Sequence, residues 1–433
     1  MLRATLLRTL PLVLLAPTLL LAACGDGSTD TAAAGPEVIR QQDGDTVVVR
    51  TVAGSAWGSE ADLVPEVEIG ILEGDPRYML GNVISLAVDG GGRIFAMDRQ
   101  ALTLRVYGPD GSHLGDWGRD GGGPGEFGQP DGGLAVLSDG RVVVRDPGNA
   151  RLQVYGPDGE RTAEWSVVRS GFNTSNPLLV GPGDTIYTST VINLGDVTDI
   201  GDWRRGLIAI HEGEVVDTVA APDVGYEAPM LRAEREGGTS INGVPFSPSE
   251  EAQWHAAGKY WVHGISDEYS VSILDPDGPI RIEREAAAVR VTAGERAYQR
   301  ESAARNMRRT DPAWRWNGPD IPDTKPAFRD LQVAEDGRIW LARHTEGVRR
   351  DNPSYDPTDP ESEAPEHVWG EPWAWDVFES GGTFLGTVHA PEDFQPYPRA
   401  VFRGDHVWAV AEDDLGVQRI VRYRIELRHP ATE

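Results

Sequence analysis

An internal repeat narrows the fold more than any other feature of this sequence. Residues 86–111 align with residues 134–159 at a constant offset of 48, with no gap. Leu86-Ala87-Val88 falls on Leu134-Ala135-Val136, Arg93 on Arg141, and Asp98 on Asp146. Tyr107-Gly108-Pro109-Asp110-Gly111 falls on Tyr155-Gly156-Pro157-Asp158-Gly159. Within each unit, short runs of alternating apolar and polar residues are separated by glycine turns. Segments 84–88, 93–98 and 102–107 read as three strands, and 112–117, after Pro-Asp-Gly, as a fourth. Four antiparallel strands in such a unit make one blade of a β-propeller. The composition agrees: 51 Gly and 31 Pro in 433 residues is an excess of turn formers without a Gly-X-Y period, and 39% hydrophobic residues supply a core.

The turns count the remaining blades. A glycine turn between first and second strands stands at Gly91-Gly92, Asp139-Gly140, Gly183-Asp184, Gly258-Lys259, Asp336-Gly337 and Gly404-Asp405. A turn between third and fourth strands stands at Gly111, Gly159, Glu212-Gly213, Gly278 and Gly381-Gly382. The last unit ends on its third strand, 419–427, and lacks a fourth. An alternating segment upstream of the first blade, 64–71, is expected to supply it and so remove an exposed sheet edge. The expected class is all-β: a six-bladed β-propeller with four-stranded antiparallel blades, its ring closed by an N-terminal strand, plus one short inserted helix.

The N-terminus reads as an address. Arg3 and Arg8 precede an apolar run, 10–21, which Pro11 and Pro17 interrupt and which is too short to span ~30 Å of hydrocarbon. It ends Leu21-Ala22-Ala23-Cys24, small residues before the only cysteine in the chain. Leu-Ala-Ala-Cys resembles the bacterial lipoprotein box, which implies a signal peptide over 1–23 and diacylation of Cys24, with the membrane as its partner. Residues 24–43, rich in Gly, Ser, Thr, Ala and Asp, read as a flexible tether before a propeller over 44–433. An Asp after the lipidated cysteine signals retention at the inner membrane in Gram-negative lipoproteins; Gly25 therefore points to the outer membrane, on a periplasmic or surface face. One cysteine excludes an internal disulfide and a cysteine-type zinc site.

Charge limits the partners further. Asp and Glu total 68 against 40 Lys and Arg, for a net charge of −28, which excludes a sequence-independent grip on nucleic acid. Gly121-Gly122-Gly123-Pro124-Gly125-Glu126-Phe127 resembles the inter-blade segment of NHL repeats. Asp275-Pro276-Asp277-Gly278, Trp375-Asp376-Val377-Phe378 and Asp413-Asp414-Leu415-Gly416-Val417 resemble bacterial six-bladed propeller lipoproteins of that type. The resemblance implies fold and location over about 64–428, and little chemistry.

Function is expected in the insertions, which lie at about 189–205, 222–249, 287–328 and 343–372. In the third, Thr292-Ala293-Gly294-Glu295 fits a capping box, with a helix over 293–308 and Ala297, Tyr298 and Ala304 among its buried positions. Trp314, Trp316, Trp369 and Trp373 fall in or beside the insertions, and Trp375 opens the next strand. They either line a cleft for a sugar, peptide or apolar ligand or pack the insertions onto the disc. Trp340 and Trp408, at the strand position of Phe95, are expected in the core. Asp98, Asp146 and Arg343 share one position at the end of a second strand. Asp98 and Asp146 are candidates for a polar ring at the tunnel mouth, or bond the following turn. Arg343, which breaks the repeat, and His344 join the candidate ligand-binding residues.

No Gly-x-Ser-x-Gly, Gly-x-x-x-x-Gly-Lys or His-Glu-x-x-His occurs, so no catalytic residue and no metal ligand are assigned. No cofactor is expected; calcium is the ion that the acidic loop Asp351, Asp356, Asp359, Glu361 and Glu363 would take, although its spacing is not an EF-hand's and its prolines favour an extended loop. The sequence thus suggests a lipid-anchored binding or scaffold module for an envelope protein, peptide or glycan. A metal-dependent hydrolase or lyase with its site at the central tunnel stands as the alternative.

Overall fold

The first repeat folds as its alternation requires. Val83–Val88, Ile94–Asp98, Thr103–Tyr107 and His113–Trp117 pair antiparallel in that order. The chain is seen here in a computed structural model, which describes residues 35–166, 176–193, 203–236, 238–352, 354–358 and 364–428. Cys24 and the signal-like segment lie outside the described residues, as does part of the 189–205 insertion.

The second blade repeats the first: Leu134–Val136, Val142–Asp146, Arg151–Tyr155 and Arg161–Trp165. The third runs Leu179–Gly181, Thr185–Val191, Arg205–His211 and Glu214–Ala220. The fourth runs Glu250–His255, Tyr260–Ile265, Ser270–Ile273 and Ile280–Arg284. The fifth is Asp330–Val333, Ile339–Ala342, Ala374–Phe378 and Phe384–His389. Val401–Arg403, His406–Glu412 and Gln418–Leu427 begin the last, and Ala61–Ile69 pairs antiparallel with Gln418–Leu427 as its fourth strand. At the turn between first and second strands, Gly92, Gly140 and Gly337 have φ between +82° and +85°, a conformation that a Cβ resists.

The apolar faces of these units are buried against one another, and the pairings form a cycle. Val106 and Leu104 of the first blade share a core with Val142 and Val144 of the second. Val143 and Val154 of the second meet Ile186 and Ile208 of the third. Tyr187 and Leu207 of the third meet Trp254 of the fourth. Val262 and Ile282 of the fourth meet Leu341 and Phe378 of the fifth. Trp340 and Trp375 of the fifth meet Val407 and Tyr423 of the last, and Trp408 and Ile420 of the last return to Leu86 and Ile94 of the first. That closed cycle of face-to-face sheets is a β-propeller. Trp340 and Trp408 are buried, at 1% and 6% exposure.

Two boundaries differ from the sequence reading. The closing strand starts at Ala61, three residues before the expected 64, and Pro65, which has no N–H to pair, coincides with a register shift between Pro65 and Val67. The tether expected over 24–43 is shorter, because Glu37–Asp43 is a strand. It forms a hairpin with Thr46–Ala53 through Gly44-Asp45, and Thr46–Ala53 adds parallel to the outer strand of the fourth blade. A glycine at the first position of a two-residue loop is a hairpin signal that the polar composition of the segment masked.

Three of the insertions carry structure of their own. The second forms the hairpin Met230–Arg235 and Gly238–Gly243, and the fourth the hairpin Val348–Asp351 and His367–Gly370. The third holds the helix Ala293–Thr310, two residues longer than expected, with Glu295 N donating to Thr292 Oγ1 (3.2 Å) and Thr292 N donating to Glu295 Oε2 (3.1 Å). Ala304 is buried as expected, with Ala303 and Met307, whereas Ala297 is exposed and Tyr298 half-buried.

Closure makes a prediction. Leu63, 4% exposed, plugs the closing strand into the core between the last two blades. Leu63→Ala should cost about 2–5 kcal/mol in urea denaturation. Val52→Ala, at 46% exposure on the N-terminal hairpin, should cost less than about 0.5 kcal/mol.

Candidate functional site

The insertions are held to one another by a buried ionic cluster. Lys325, one of two lysines in the chain, has a side chain 0% exposed. Its Nζ donates to Glu295 Oε1 (2.5 Å) and to the Thr345 carbonyl (2.7 Å), and lies 3.4 Å from Glu371 Oε1. It also sits 4.9 Å from the centre of the Phe246 ring. Glu371 in turn accepts from Thr345 N (2.9 Å) and bonds His344 Nδ1 (3.0 Å). Burial alone would push the Glu371 carboxyl up, but the His344 bond, the charges of His344 and Arg329 and the Thr345 N–H together hold it below the usual range. The cluster thus takes one residue from the cap helix, one from the end of the third insertion, three from the fourth and a ring from the second. Gly347 passes so close that a Cβ there would lie 2.0 Å from Glu295 Oε1.

Above this clasp the cap helix and the 230–243 hairpin share a core of Leu231, Ala233, Val244, Val291, Met307 and Trp314, among others. Between them opens a cleft of about 750 Å³. The helix lines it with Gln299, Ser302, Arg305, Asn306 and Arg309, the hairpin side with Asn242, and Ala364-Pro365 form part of its rim. Among the described residues, neither an aromatic ring nor a carboxylate lines it. A second hollow of about 510 Å³ is bounded by Trp314, Arg232, Glu234, Asp311 and Arg315.

The five tryptophans do not converge on one cleft. Trp314 (5% exposed) is a cap-core residue whose Nε1 donates to the Arg232 carbonyl (2.8 Å), and Trp316 packs beside it with Arg300 4.4 Å from its ring centre. Trp369 abuts the start of the helix, where a Cβ on Gly294 would lie 2.4 Å from its ring. Trp375 (2% exposed) is buried between the fifth and last blades, Trp373 stacks on it at 5.8 Å, and Arg329 covers Trp373 at 3.8 Å. Trp314, Trp316 and Trp369 pack the insertions against one another, Trp373 and Trp375 belong to the disc core, and the described wall of the larger cleft is polar instead.

The shared strand-end position is structural in two blades and inverted in a third. Asp98 (1% exposed) accepts from the backbone N–H groups of Gly81, Asn82, Gln100 and Ala101, and pairs with Arg105 at 3.3 Å. Asp146 (0% exposed) accepts from Gly128 N, Gln129 N and Asn149 Nδ2. Both fasten the chain entering a blade to the end of that blade's second strand. By strand register, Arg343 stands where Asp98 does and Asp376 where Arg105 does, so the pair is charge-reversed, 3.6 Å apart. Asp376 (0% exposed) also accepts from Tyr269 OH (2.5 Å) and Thr387 Oγ1 (2.6 Å) and pairs with Arg284. The break in the repeat that singled out Arg343 is therefore compensated on the neighbouring strand.

First strands lie side by side where the first blade meets the second and the last, where the second meets the third, and where the fourth meets the fifth, as they do about the axis of a propeller. Sequence reasoning missed the polar group there. Arg399 donates to Gln253 Oε1 of the fourth blade (3.2 Å) and Asp330 Oδ1 of the fifth (3.3 Å), and Gln332 donates to Asp330 Oδ2 (3.2 Å). Beside them the Glu251 carboxyl is pushed up to about 7, by burial first and by Asp330, against the Ser249 bond and the charges of Arg399 and Arg205. The only signal for this group was a charge at alternate positions of an inner strand, which looks like any solvated face. Among the described residues no group of three or more His, Cys, Asp or Glu side chains is placed to hold a metal. Asp351 bonds His367 (3.1 Å) and Asp356 bonds Thr358, while Asp359, Glu361 and Glu363 lie outside the described residues.

The fold and cap thus define a β-propeller bearing an insertion-built polar cleft. No family model and no curated protein matches the sequence. Among solved structures, a member of the DUF4221 family from Bacteroides vulgatus is similar at 9% identity and a TM-score of 0.41, over 86% of this chain and 99% of that one. Virginiamycin B lyase from Staphylococcus aureus is similar at 10% identity and 0.36, over 83% and 98%. A protein of unknown function from Bacteroides thetaiotaomicron is similar at 11% identity and 0.38, over 84% and 76%. These likenesses are loose, and the architecture rests on the strand pairing and shared cores of the chain itself.

Two outcomes test this chemistry. Lys325→Met leaves Glu295 and Glu371 buried without their cation and should cost about 3–5 kcal/mol in denaturant, much of it recovered by adding Glu295→Gln. For Glu251, a folded pKa near 7 against about 4.3 unfolded means that the native state binds the proton more tightly. Its contribution is fully present below about pH 4.3 and is lost as pH rises through 7. Glu251→Gln should match the wild type near pH 4 and exceed it by on the order of 2–3 kcal/mol at pH 8 in urea melts.

Proposed function

We propose that this protein is a lipid-anchored propeller lipoprotein of the NHL-repeat type, exported to the cell envelope, where it acts as a binding or scaffold module. The observation that carries this reading is the open cleft of about 750 Å³ on the cap, walled by amide, hydroxyl and guanidinium groups on a braced scaffold. The disc fixes the position of the insertions, the Lys325 clasp fixes them to one another, and the cleft offers hydrogen-bonding groups to a protein, peptide or glycan. The signal-like segment ending at Cys24 supports export and acylation, with the outer membrane favoured by Gly25. No described helix is long and apolar enough to cross a membrane.

The axis is less suited to a metal-dependent hydrolase. The Arg399 guanidinium already occupies the Asp330 carboxylate, and a divalent cation would have to displace it.

Two measurements test the proposal. Cys24→Ser should move the protein from the membrane pellet to the soluble fraction without altering its circular dichroism; continued pelleting would refute the anchor. Asn306→Trp places a large ring in the cleft from an exposed position. It should abolish capture of the partner that wild-type protein retains from envelope extract, and undiminished capture would remove the cleft from the binding face.

A further inference from the structure

We infer that two loops on the insertion-bearing face of the disc form a docking surface for a basic amphipathic protein segment. The surface shares no residue with the cap cleft and does not depend on it. Residues 70–82 lead from the closing strand into the first blade, and 413–417 turn between the second and third strands of the last blade. Connections of these two kinds leave a blade at the end that also carries the insertions. The loops touch at Gln418. A Cβ on Gly70 would lie 2.5 Å from its carbonyl oxygen, and Val83 N donates to its Oε1 (2.8 Å).

The first ground is apolar exposure on braced backbone. Leu415 is 78% exposed, more than any other large apolar side chain among the described residues, and Leu72 is 57% exposed. Ile71 and Met79 are exposed beside them, and Ile71 N donates to the Tyr78 carbonyl (3.0 Å), which draws the two arms of that loop together. The apolar side chains take no part in the bonds that hold these loops. Asp413 Oδ1 accepts from Leu415 N (2.9 Å) and Val417 N (3.0 Å), and Gly416, at φ +76°, lets the turn close with Leu415 beside it. In the other loop Asp75 Oδ1 accepts from Arg77 N (3.1 Å). Side chains presented on backbone already ordered lose less freedom on binding, and apolar side chains clustered in solvent mark an interaction site.

The second ground is the charge around them. Asp75 is paired with Arg77, and Arg419 is taken up by Glu68 and Asp393. Among the described residues Glu73, Glu412, Asp413 and Asp414 make no ion pair, and Arg99, whose N donates to the Asn82 carbonyl (2.8 Å), is the adjoining basic side chain without a carboxylate. Four uncompensated carboxylates against one guanidinium leave −3 around the apolar group, on a chain of −28. That field selects the occupant. A second copy would set like charges opposite one another, and an anionic bilayer would be repelled. A protein segment with an apolar stripe and Lys or Arg along its flanks satisfies both the exposed leucines and the carboxylates, and is steered in by the whole chain.

Fluorescence anisotropy on the purified full chain tests the inference with three labelled peptides of about 14 residues: an amphipathic Leu/Lys helix, its Ser/Lys counterpart of equal charge, and its Leu/Glu counterpart. The Leu/Lys peptide should bind at least about tenfold tighter than either of the others, and more weakly at higher salt. The double variant Leu72→Ser, Leu415→Ser should erase the preference for Leu/Lys over Ser/Lys at an unchanged melting temperature. Glu73→Gln with Asp414→Asn should lower Leu/Lys affinity by about threefold or more and flatten its salt dependence. Val216→Ser, at 57% exposure on the outer strand of the third blade, and Asn306→Trp in the cleft should change neither. Equal binding of Leu/Lys and Ser/Lys, a preference that survives the double variant, or an equal loss from Val216→Ser or Asn306→Trp would each overturn the assignment. Two rival occupants have their own readouts, both in a Cys24→Ser background so that no acyl chain contributes. Flotation with vesicles of equimolar phosphatidylcholine and phosphatidylglycerol that the double variant loses would give the loops to lipid instead. A dimer in sedimentation that the double variant loses would give them to a second copy.

Discussion

Everything in this structure depends on sheets buried face to face. A four-stranded blade has two apolar faces and covers neither by itself, so each blade is stable only between two others and the series has to return to its start. The return is made by Ala61–Ile69, which the chain lays down before the first blade and pairs with its last long strand. Polar groups reinforce the same junctions from the rim. Arg93 of the first blade donates to the Pro157 carbonyl of the second, Arg141 of the second to Glu212 of the third, and Arg422 of the last to the Pro109 carbonyl of the first. The guanidinium fork reaches across the seam to a turn of the neighbouring blade, a use that a compact ammonium would serve less well.

The cap answers a different physical problem. Its insertions are long, and their helix has a narrow apolar face of Ala303, Ala304 and Met307. An ionic cluster closes the gap that so small a core leaves. Burying Lys325 with Glu295 and Glu371 is costly in desolvation, and such a cluster adds less to net stability than apolar packing of the same volume would. It does impose geometry, because the carboxylates, the ammonium and His344 satisfy one another only in one arrangement.

The disc was readable from the chain because its determinants are local and repeated. The offset of 48, the glycine turns and the alternation located the first blade's strands to within about one residue, and the turn count found the later blades where the repeat itself had faded. The closing strand was readable as an alternating segment with no other home. The hairpin of Glu37–Asp43 and Thr46–Ala53 was not, since the composition of its first strand matches a linker and the strand to which the hairpin adds, Ile280–Arg284, lies more than two hundred residues away. The site was less legible still. Tryptophans drew attention by rarity, but an aromatic ring in an insertion has first to glue that insertion down, as Trp314 does. The cleft wall is made of Gln299, Ser302, Asn306 and Arg309, residues that on any exposed helix would pass for solubilising surface. Arg343 looked like a functional anomaly because its compensating residue, Asp376, is a neighbour only through strand pairing.

The N-terminal hairpin has a mechanical consequence. A pull entering the described chain at Gly35 first reaches Glu37–Asp43, an edge strand whose ladder partner is Thr46–Ala53, helped by side-chain bonds from Arg40 to the Gly381 carbonyl and Thr383 and from Arg281 to Asp43. Tension at the open end of that hairpin unzips its bonds one at a time. The closing strand farther along is held on its long side by Gln418–Leu427 and, at Ala61 and Asp62, by the fifth blade as well. Tension on the described chain from its N-terminal side is thus taken first by a strand that can re-form, and the ring stays shut while it yields.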